Sequence, residues 1–455
     1  MTHLTRNAAG VGAPAPVRVV HLGLGIFHRA HQAWYTEHAN QKSGDPAGIA
    51  SFTGRRPDAA RPIRDQEGLY HLAVRGPNGA VPELVTSISE GVDGNDLDAL
   101  AAYAASPKLQ CITLTVTEAG YRRDAQGRLA TNDPEVRQDL SGKAPITAPG
   151  RIVYALRARR DADAGPIAVV SCDNLTDNQA VCRQVVLDMA AGIDTELADW
   201  ISSQVSFVGT MVDRITPRTT DADLDLVRSK TGFDDHAVVV TEPFVEWVLA
   251  GEFPAGRPAW DLAGARFVSD VRPFEQRKLW LLNGSHSLLA YAGAARGHHT
   301  VAEAIADETC REWVRHWWEE ASRHLSLPND ELAAYTDALL ERYRNPSIRH
   351  QLTQIQMDGS QKLPIRVLPV LARERANGDL PVGAVTAFAG WIVHLRAGTT
   401  VSDPLADQLT EIVRQGDETA TRQLLELLTP QGELADDAEL VNAVAVSIRR
   451  LSRTG

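Results

Sequence analysis

The sequence predicts an α/β fold in which a doubly wound parallel sheet is followed by a mainly α-helical domain. Up to about residue 270, short apolar, β-branched runs alternate with helical stretches; beyond it, apolar residues recur every three or four positions. The 455 residues suit two or three domains at roughly 150 residues each. We expect a flexible lead-in over 1–16, the sheet domain over 17–270 and the helical domain over 271–455.

Four runs are predicted as buried parallel strands because they are apolar and carry few charges. They are 17–22, 48–54, 111–117 and 166–171. Between them lie predicted helices, including 96–105 and 152–160, as parallel strands require a crossover connection. In the helical domain the predicted helices are 274–295, 301–323, 329–344, 381–397 and 403–428.

Composition excludes several classes of protein. The net charge is −12, so the chain as a whole is not a basic nucleic-acid binder. Four cysteines without a Cys-x-x-Cys pair are too sparse for a disulfide framework. No apolar run reaches the roughly 18 residues of a membrane helix, and residues 1–16 lack the apolar core of a signal peptide. We therefore expect a cytoplasmic protein.

A glycine turn follows the first predicted strand: Gly23-Leu24-Gly25, with Ile26 and Phe27 opening a helix. Such a turn lets backbone N–H groups approach the pyrophosphate of a dinucleotide. The third glycine of Gly-x-Gly-x-x-Gly is replaced by His28, so this segment alone is equally typical of a structural turn. Gly23, Gly25, Ile26 and Phe27 are the predicted cofactor contacts.

A dinucleotide site also needs an acidic residue after the second strand to bind the adenosine ribose. Asp58 is the candidate, although it lies 33 residues beyond Gly25, where the usual spacing is about 20. Arg55 and Arg56 precede it and would favour a 2′-phosphate, and a solvated loop explains all three. The prediction is NAD, with NADP left open.

Polar side chains follow two other predicted strands. Thr117 and Glu118 end one, and Asp173-Asn174 follow another. Doubly wound folds bind their ligands at the carboxyl ends of parallel strands, which makes these residues candidates. For the pair after residue 171, an Asx turn or helix cap is the commoner explanation of such a sequence.

The helical domain begins with a concentration of reactive side chains. At about 100° per residue, Glu275, Lys278 and His286 share one half of a helix, and Asn283 falls within it too. A lysine among Leu and Trp is more often a snorkelling surface residue. On a polar, desolvated face, however, a lysine acquires a lowered pKa and serves as a general base.

Further along, Lys362 and Arg366 are spaced to clamp a carboxylate or a row of hydroxyls, and two solvated cations are an equal interpretation. Other enzyme signatures are missing from the sequence. It contains no Tyr-x-x-x-Lys, no Gly-x-Ser-x-Gly, no Gly-Lys-Ser/Thr phosphate loop and no His-Glu-x-x-His. We predict no metal site.

Five motifs together resemble one family. Segments 23–33, 114–118, 171–174, 211–217 and 278–286 are similar, in order, to the polyol-specific long-chain dehydrogenases, the mannitol dehydrogenase family. The resemblance implies a Rossmann-type domain followed by a helical domain, with the active site in the cleft between them. It also implies NAD(P)-dependent, metal-independent chemistry on a small-molecule sugar acid or polyol. The sequence is compatible with a monomer or a homodimer.

The resemblance assigns roles to residues. It makes Lys278 the general acid/base, and Asn174 and Asn283 the amides that hold the reacting oxygen. It makes His286 an orienting partner and Glu275 a proton relay to solvent. The predicted substrate-binding residues are Arg29, Asp213, Lys362 and Arg366.

Segments 282–287, 344–350 and 357–366 are most similar to the fructuronate reductases (mannonate oxidoreductases) of this family. The chain departs from that pattern at Ile365, where Gln is expected. The alternatives are a mannitol 2-dehydrogenase or related polyol dehydrogenase and, more remotely, a non-catalytic nucleotide-binding protein. The last would lack catalytic residues that are present here.

Overall fold

The computed structural model describes residues 2–54, 56–398, 402–429 and 432–453. The chain divides into two compact units, Met1–Arg272 and Pro273–Gly455. Within the described ranges, no helix has both the length and the apolar character needed to cross a membrane.

The strands of the first unit follow one another along the chain as β1 (Thr2–His3), β2 (Val17–Leu22), β3 (Gly48–Phe52), β4 (Tyr70–Gly76), β5 (Gly79–Val85), β6 (Ile88–Val92), β7 (Cys111–Leu114), β8 (Ile167–Ser171), β9 (Val205–Asp213), β10 (Phe233–Asp234), β11 (Val239–Thr241), β12 (Glu246–Ala250) and β13 (Arg266–Phe267). Its main sheet has the order β13-β12-β9-β8-β7-β2-β3-β6. The six strands from β9 to β6 are parallel, and β12 runs antiparallel to β9. Two smaller sheets have the orders β11-β4-β5 and β1-β10.

The helices of this unit are α1 (Arg6–Ala9), α2 (Ile26–Ala30), α3 (Gln32–Asn40), α4 (Arg61–Asp65), α5 (Leu97–Ala104), α6 (Pro134–Leu140), α7 (Ala148–Asp161), α8 (Asn178–Ile193), α9 (Thr195–Gln204) and α10 (Asp221–Thr231). Successive strand residues face opposite sides of the sheet, so Val20 joins one core and Val19 the other. Helices α5, α7, α8 and α9 cover the first face, and α3 covers the second. The predicted doubly wound parallel sheet is therefore confirmed.

The lead-in, for which the sequence predicts a flexible segment, contains a short strand and a helix. Strand β1 pairs with β10, and α1 follows it. The guanidinium of Arg6 is buried and donates to the carbonyl oxygens of Gly12, Glu67 and Thr86. The contacts with Glu67 and Thr86 reach residues far along the chain, which composition does not reveal.

The second unit is helical, with the elements α11 (Arg272–Arg277), α12 (Ser285–Leu288), α13 (Val301–Ala306), α14 (Glu308–Ser322), α15 (Asn329–Arg344), α16 (Leu352–Ile355), α17 (Gly359–Arg366), α18 (Leu368–Ala376), α19 (Val382–Arg396), α20 (Ala406–Val413), α21 (Asp417–Leu428) and α22 (Ala438–Leu451). Helix α19 is buried along most of its length, with α14 and α22 packed against it. The predicted helix 301–323 is split where Asp307 caps α14, and 403–428 is split before Asp417.

The predicted helix 274–295 is continuous but is not a regular α-helix. Residues Lys278–Gly284 and Leu289–Gly293 form π-helical turns on either side of α12. π-helical turns are rare and are found most often at functional sites.

Candidate functional site

A pocket of about 460 Å³ lies in the first unit at the carboxyl ends of β2, β3 and β7. Its walls are the turn after β2, the residues after β3, the segment after β7 and the start of α7. Strand order reverses between β2 and β7, because β3 follows on one side of β2 while β7 lies on the other. Open α/β sheets bind their ligands at such a switch point.

Gly23 and Gly25 of the glycine turn are among the residues that line this pocket. Gly23 has φ +117°, and a Cβ there would overlap the carbonyl oxygen of Thr115. A side chain is therefore excluded by backbone conformation and by the closeness of β7. The amide of Gly25 donates to the carbonyl of Gly23 at 2.6 Å, which closes the turn. This shape fits a dinucleotide backbone.

His28, which stands in place of the third glycine, is fully buried under the turn. Its ring stacks on His21 of β2 with centroids 3.4 Å apart, and its Nε2 lies 2.9 Å from the Ser51 hydroxyl. Burial lowers the pKa of His21 to about 3 and holds that of His28 well below its usual value, so both rings are neutral. The stacked imidazoles of His21 and His28 therefore join β2 to α2, in place of the close packing that a third glycine would allow.

The other predicted cofactor residues are placed differently. Thr117 lines the pocket, whereas Ile26 and Phe27, in the first turn of α2, do not. Glu118 points away to form an ion pair with Arg123 at 3.0 Å. Asp58 is exposed in a 3₁₀ turn, Pro57–Ala60, outside the pocket lining.

The pocket is lined by arginines, whereas the sequence predicted the acidic residue Asp58 at this site. Arg56 and Arg122 belong to the lining, and so does Arg151 of α7. Arg151 donates to the carbonyl oxygens of Thr53 and Gly54, at 3.3 and 3.5 Å. Arg122 and Arg151 were missed by the sequence interpretation, because the contacts that bring them here span long stretches of chain. Arg55 lies outside the described residues.

Asp173 links the end of β8 to the pocket wall. Its carboxylate accepts hydrogen bonds from the Val116 amide at 2.6 Å and from the Tyr121 hydroxyl at 2.5 Å. Burial raises its pKa to about 7, although these two donors act in the opposite direction. Asn174, the next residue, is exposed. Asp173 thus has a structural role beside the predicted binding residue.

Two predicted substrate contacts lie deeper in the first unit. Arg29 donates to the carbonyl of Ala237 at 2.5 Å and lies over the Tyr70 ring, 5.6 Å from its centroid. Asp213 is buried at the end of β9, paired in register with Glu246 of β12. Arg29 therefore ties α2 to the segment before β11.

In the second unit, the π-helical turn changes the relation between Lys278 and Asn283. An α-helix would place them about 140° apart around the axis. In a π-helix the hydrogen bonds run from i to i+5 and each turn holds more residues, so residues five apart lie closer in angle than in an α-helix. Both side chains are half-buried, as is Glu275 in α11. The angle taken from an α-helical wheel therefore does not apply to this pair, which a π-helical turn brings closer to one face.

His286 lies on the same helical segment and is buried. Its ring is 4.8 Å from that of Tyr343 and 5.0 Å from that of His350. Burial, together with the charges of His350, Arg342 and Arg366, holds its pKa well below the usual value, so the ring is neutral. Its Nε2 is buried without a hydrogen-bond partner among the residues described.

Arg366 and Lys362 are both on α17 but have different surroundings. Arg366 donates to the Ser287 hydroxyl at 3.4 Å, and Ser287 in turn donates to the carbonyl of Asn283 at 3.1 Å. The ammonium of Lys362 donates to the carbonyls of Ile355 and Met357, at 3.2 and 2.5 Å. Arg366 is thus connected to the segment bearing Asn283, whereas Lys362 is engaged in joining α16 to α17.

One group in the described chain has metal-ligand atoms close together: His298, Asp307 and Cys310. Asp307 accepts from Arg296 and from His298, and it caps α14. Burial raises the pKa of Cys310 to about 12, so it is a thiol and a poor ligand. The arrangement is explained as a helix cap.

A glycine-turned pocket at the switch point of a parallel sheet defines a dinucleotide-binding protein. Residues 17–262 match the mannitol dehydrogenase Rossmann domain, and residues 270–452 match the mannitol dehydrogenase C-terminal domain. The chain belongs to the mannitol dehydrogenase family and is an oxidoreductase of that family.

Three similar proteins illustrate the relationship. The D-mannonate oxidoreductase of Escherichia coli is 37% identical, with 96% of this chain and 94% of that protein covered. The mannitol 2-dehydrogenase of Aspergillus terreus is 33% identical, with 98% and 92% covered. The mannitol 2-dehydrogenase of Pseudomonas fluorescens, solved with NAD and D-mannitol, has a TM-score of 0.79 and 33% identity over 99% of this chain and 97% of that one.

Proposed function

We propose that this protein is an NAD-dependent oxidoreductase that interconverts D-mannonate and D-fructuronate. The main observation in favour of a sugar acid as the substrate is the group of cationic and imidazole side chains around His286. It comprises Arg342, His350 and Arg366. A substrate carboxylate is the partner that such a group favours.

Several of these groups retain unused hydrogen-bonding capacity. In the described part of the chain, His286 Nε2, His350 Nδ1 and Arg366 Nε are buried and make no hydrogen bond. Buried polar atoms without partners are costly, and each is satisfied if a ligand supplies oxygen atoms. Besides burial, the nearby arginines Arg342 and Arg366 lower the pKa of His286, and their positive charges add an electrostatic preference for an anion. This local field opposes the net charge of −12 of the whole chain.

Lys278 is the proposed general acid/base. In the direction of oxidation, its neutral amine removes the proton from the reacting hydroxyl; in reduction, its ammonium returns one. The nicotinamide ring, when bound, supplies the hydride chemistry. Gly23 and Gly25 would hold the dinucleotide backbone. The half-buried position of Lys278 on a π-helical turn supports this role.

Asn174 and Asn283 are proposed to donate hydrogen bonds to the oxygen that gains charge. Each fixed donor of this kind contributes about 2.7–4 kcal/mol to the transition state. One π-helical turn separates Asn283 from Lys278, which supports a joint action on one oxygen atom. His286, being neutral, is suited to orient the substrate, and half-buried Glu275 is suited to pass a proton between Lys278 and solvent.

The test compares kcat/KM for D-fructuronate and D-fructose with NADH, followed at the nicotinamide absorbance. We expect fructuronate to be preferred by at least tenfold. Arg366→Ala should remove most of that preference, because one cation near the carboxylate is lost. Arg344→Ala, an exposed arginine at the end of α15, is the matched control. A tenfold preference for fructose would overturn the proposal.

Mannitol 2-dehydrogenase activity is the second candidate. Ile365 stands where a fructuronate reductase is expected to have Gln. It is half exposed and offers no polar group to a substrate. A mannitol 2-dehydrogenase bound to D-mannitol also matches almost the whole chain. Turnover of D-mannitol with NAD, unaffected by Arg366→Ala, would favour this candidate.

A further inference from the structure

We infer that the dinucleotide pocket also accepts the 2′-phosphate of NADP(H), with Arg56 as the residue that binds it. The inference concerns the nucleotide alone and is independent of which sugar is the substrate. In a Rossmann-type domain, the residues after the second strand decide between the two cofactors: an acid binds the ribose 2′-hydroxyl, and an arginine accommodates a 2′-phosphate.

The described lining of the pocket contains no Asp or Glu. Asp58 is turned out into solvent, and the residues after β3 that reach the pocket are Thr53, Gly54, Arg56 and Ala59. The Thr53 hydroxyl oxygen already accepts the Gly94 amide at 2.8 Å. Hence none of these side chains supplies the carboxylate that would select a free 2′-hydroxyl and repel a phosphate.

Arg56 differs from the other two arginines of the lining. Arg122 forms ion pairs with Asp133 and Glu135, and Arg151 donates to backbone carbonyls and to Asn95. The guanidinium of Arg56 is exposed, and in the described part of the chain it forms no hydrogen bond or ion pair. An uncommitted guanidinium at the pocket edge is suited to bidentate binding of a phosphate.

Thr53 and Gly54, the two residues directly after β3, are held in place by hydrogen bonds. Arg151 is buried and donates to the carbonyls of Thr53 and Gly54 from the start of α7. A Cβ added to Gly54 would meet no atom within 4 Å, so the loop is open to solvent on that side. The position of Arg56 and its charge therefore both favour a 2′-phosphate site.

Equilibrium binding tests this without any sugar. Calorimetric titration of the full chain with NADPH and with NADH should give dissociation constants within about tenfold of each other. In Arg56→Ala, we expect NADPH binding to weaken by about tenfold or more and NADH binding by less than about threefold. Arg56→Ala should likewise weaken the binding of 2′,5′-ADP more than that of 5′-AMP. These two ligands differ only in the 2′-phosphate.

Arg61→Ala is the matched control, since Arg61 is a nearby exposed arginine that is paired with Asp65 and does not line the pocket. Arg56→Lys should retain part of the NADPH affinity by keeping the charge. A wild-type preference for NADH beyond about tenfold, or an equal loss of both cofactors in Arg56→Ala, would overturn the inference. Failure to bind either dinucleotide would contradict the proposed function itself, so the two failures are distinguishable.

Discussion

His28 stacks face to face on His21, with an interplanar angle of 9°, at the point where a dinucleotide-binding turn ordinarily has its third glycine. Replacing His28 by Ala would remove the stack and the contact with Ser51 and leave a cavity between α2 and β2. We expect a loss of about 2 kcal/mol of stability in the first unit. Differential scanning calorimetry, which separates the transitions of two units, should show a lower Tm.

His236→Ala is the control for that experiment, because the His236 side chain is exposed and pairs with Asp234 at the surface. If both variants melt at the wild-type temperature, the stacked pair contributes nothing to the fold.

Gly23→Ala should abolish dinucleotide binding. The added Cβ overlaps the Thr115 carbonyl oxygen, and φ +117° is strained for any L side chain, so the turn must move. Titration with NADH should show at least a tenfold weaker affinity. Gly12→Ala is matched to it, since a Cβ there meets nothing. Unaltered NADH affinity in Gly23→Ala would place the dinucleotide elsewhere.

Asp173 should make stability fall as pH rises. Its folded pKa of about 7 exceeds the ordinary value of 3.8, so the folded state holds this proton more tightly than the unfolded state does. The stabilisation is complete below about pH 4 and is lost as pH rises through 7. Asp173→Asn cannot titrate, and its Tm relative to wild type should therefore increase between pH 5 and 8. Parallel pH profiles for the two proteins would contradict the raised pKa.

Lys278→Ala should reduce kcat by at least about a thousandfold and leave NADH affinity near normal, because proton transfer is lost while the nucleotide pocket is untouched. Asn283→Ala should cost about 10²–10³ in kcat through the lost oxygen contact. Steady-state kinetics on D-fructuronate, with NADH titrations alongside, measure both. Lys42→Ala, an exposed lysine bonded to the Leu262 carbonyl, is the control. Wild-type turnover in Lys278→Ala would exclude it as the acid/base.

Much of the fold follows from local patterns. The central strands are continuous apolar runs because both of their faces are covered, and this periodicity is visible without a structure. The glycine turn is also visible locally as Gly-x-Gly after a strand, although the contact of Gly23 with Thr115 is made far along the chain. Strands β4, β5 and β12 are not continuous apolar runs and were not predicted, and neither were the helices α16–α18.

The sequence by itself determined the two-part architecture, the dinucleotide turn and the residue types available for proton transfer, because these depend on spacing of a few residues. Only the tertiary structure decided which charged groups serve the nucleotide pocket and how Lys278 and Asn283 are aligned. Arg56 lines the pocket and Asp58 does not, since a 3₁₀ turn directs the aspartate to solvent. A π-helical turn, which the residue pattern does not predict, reduces the angle between Lys278 and Asn283 relative to an α-helix.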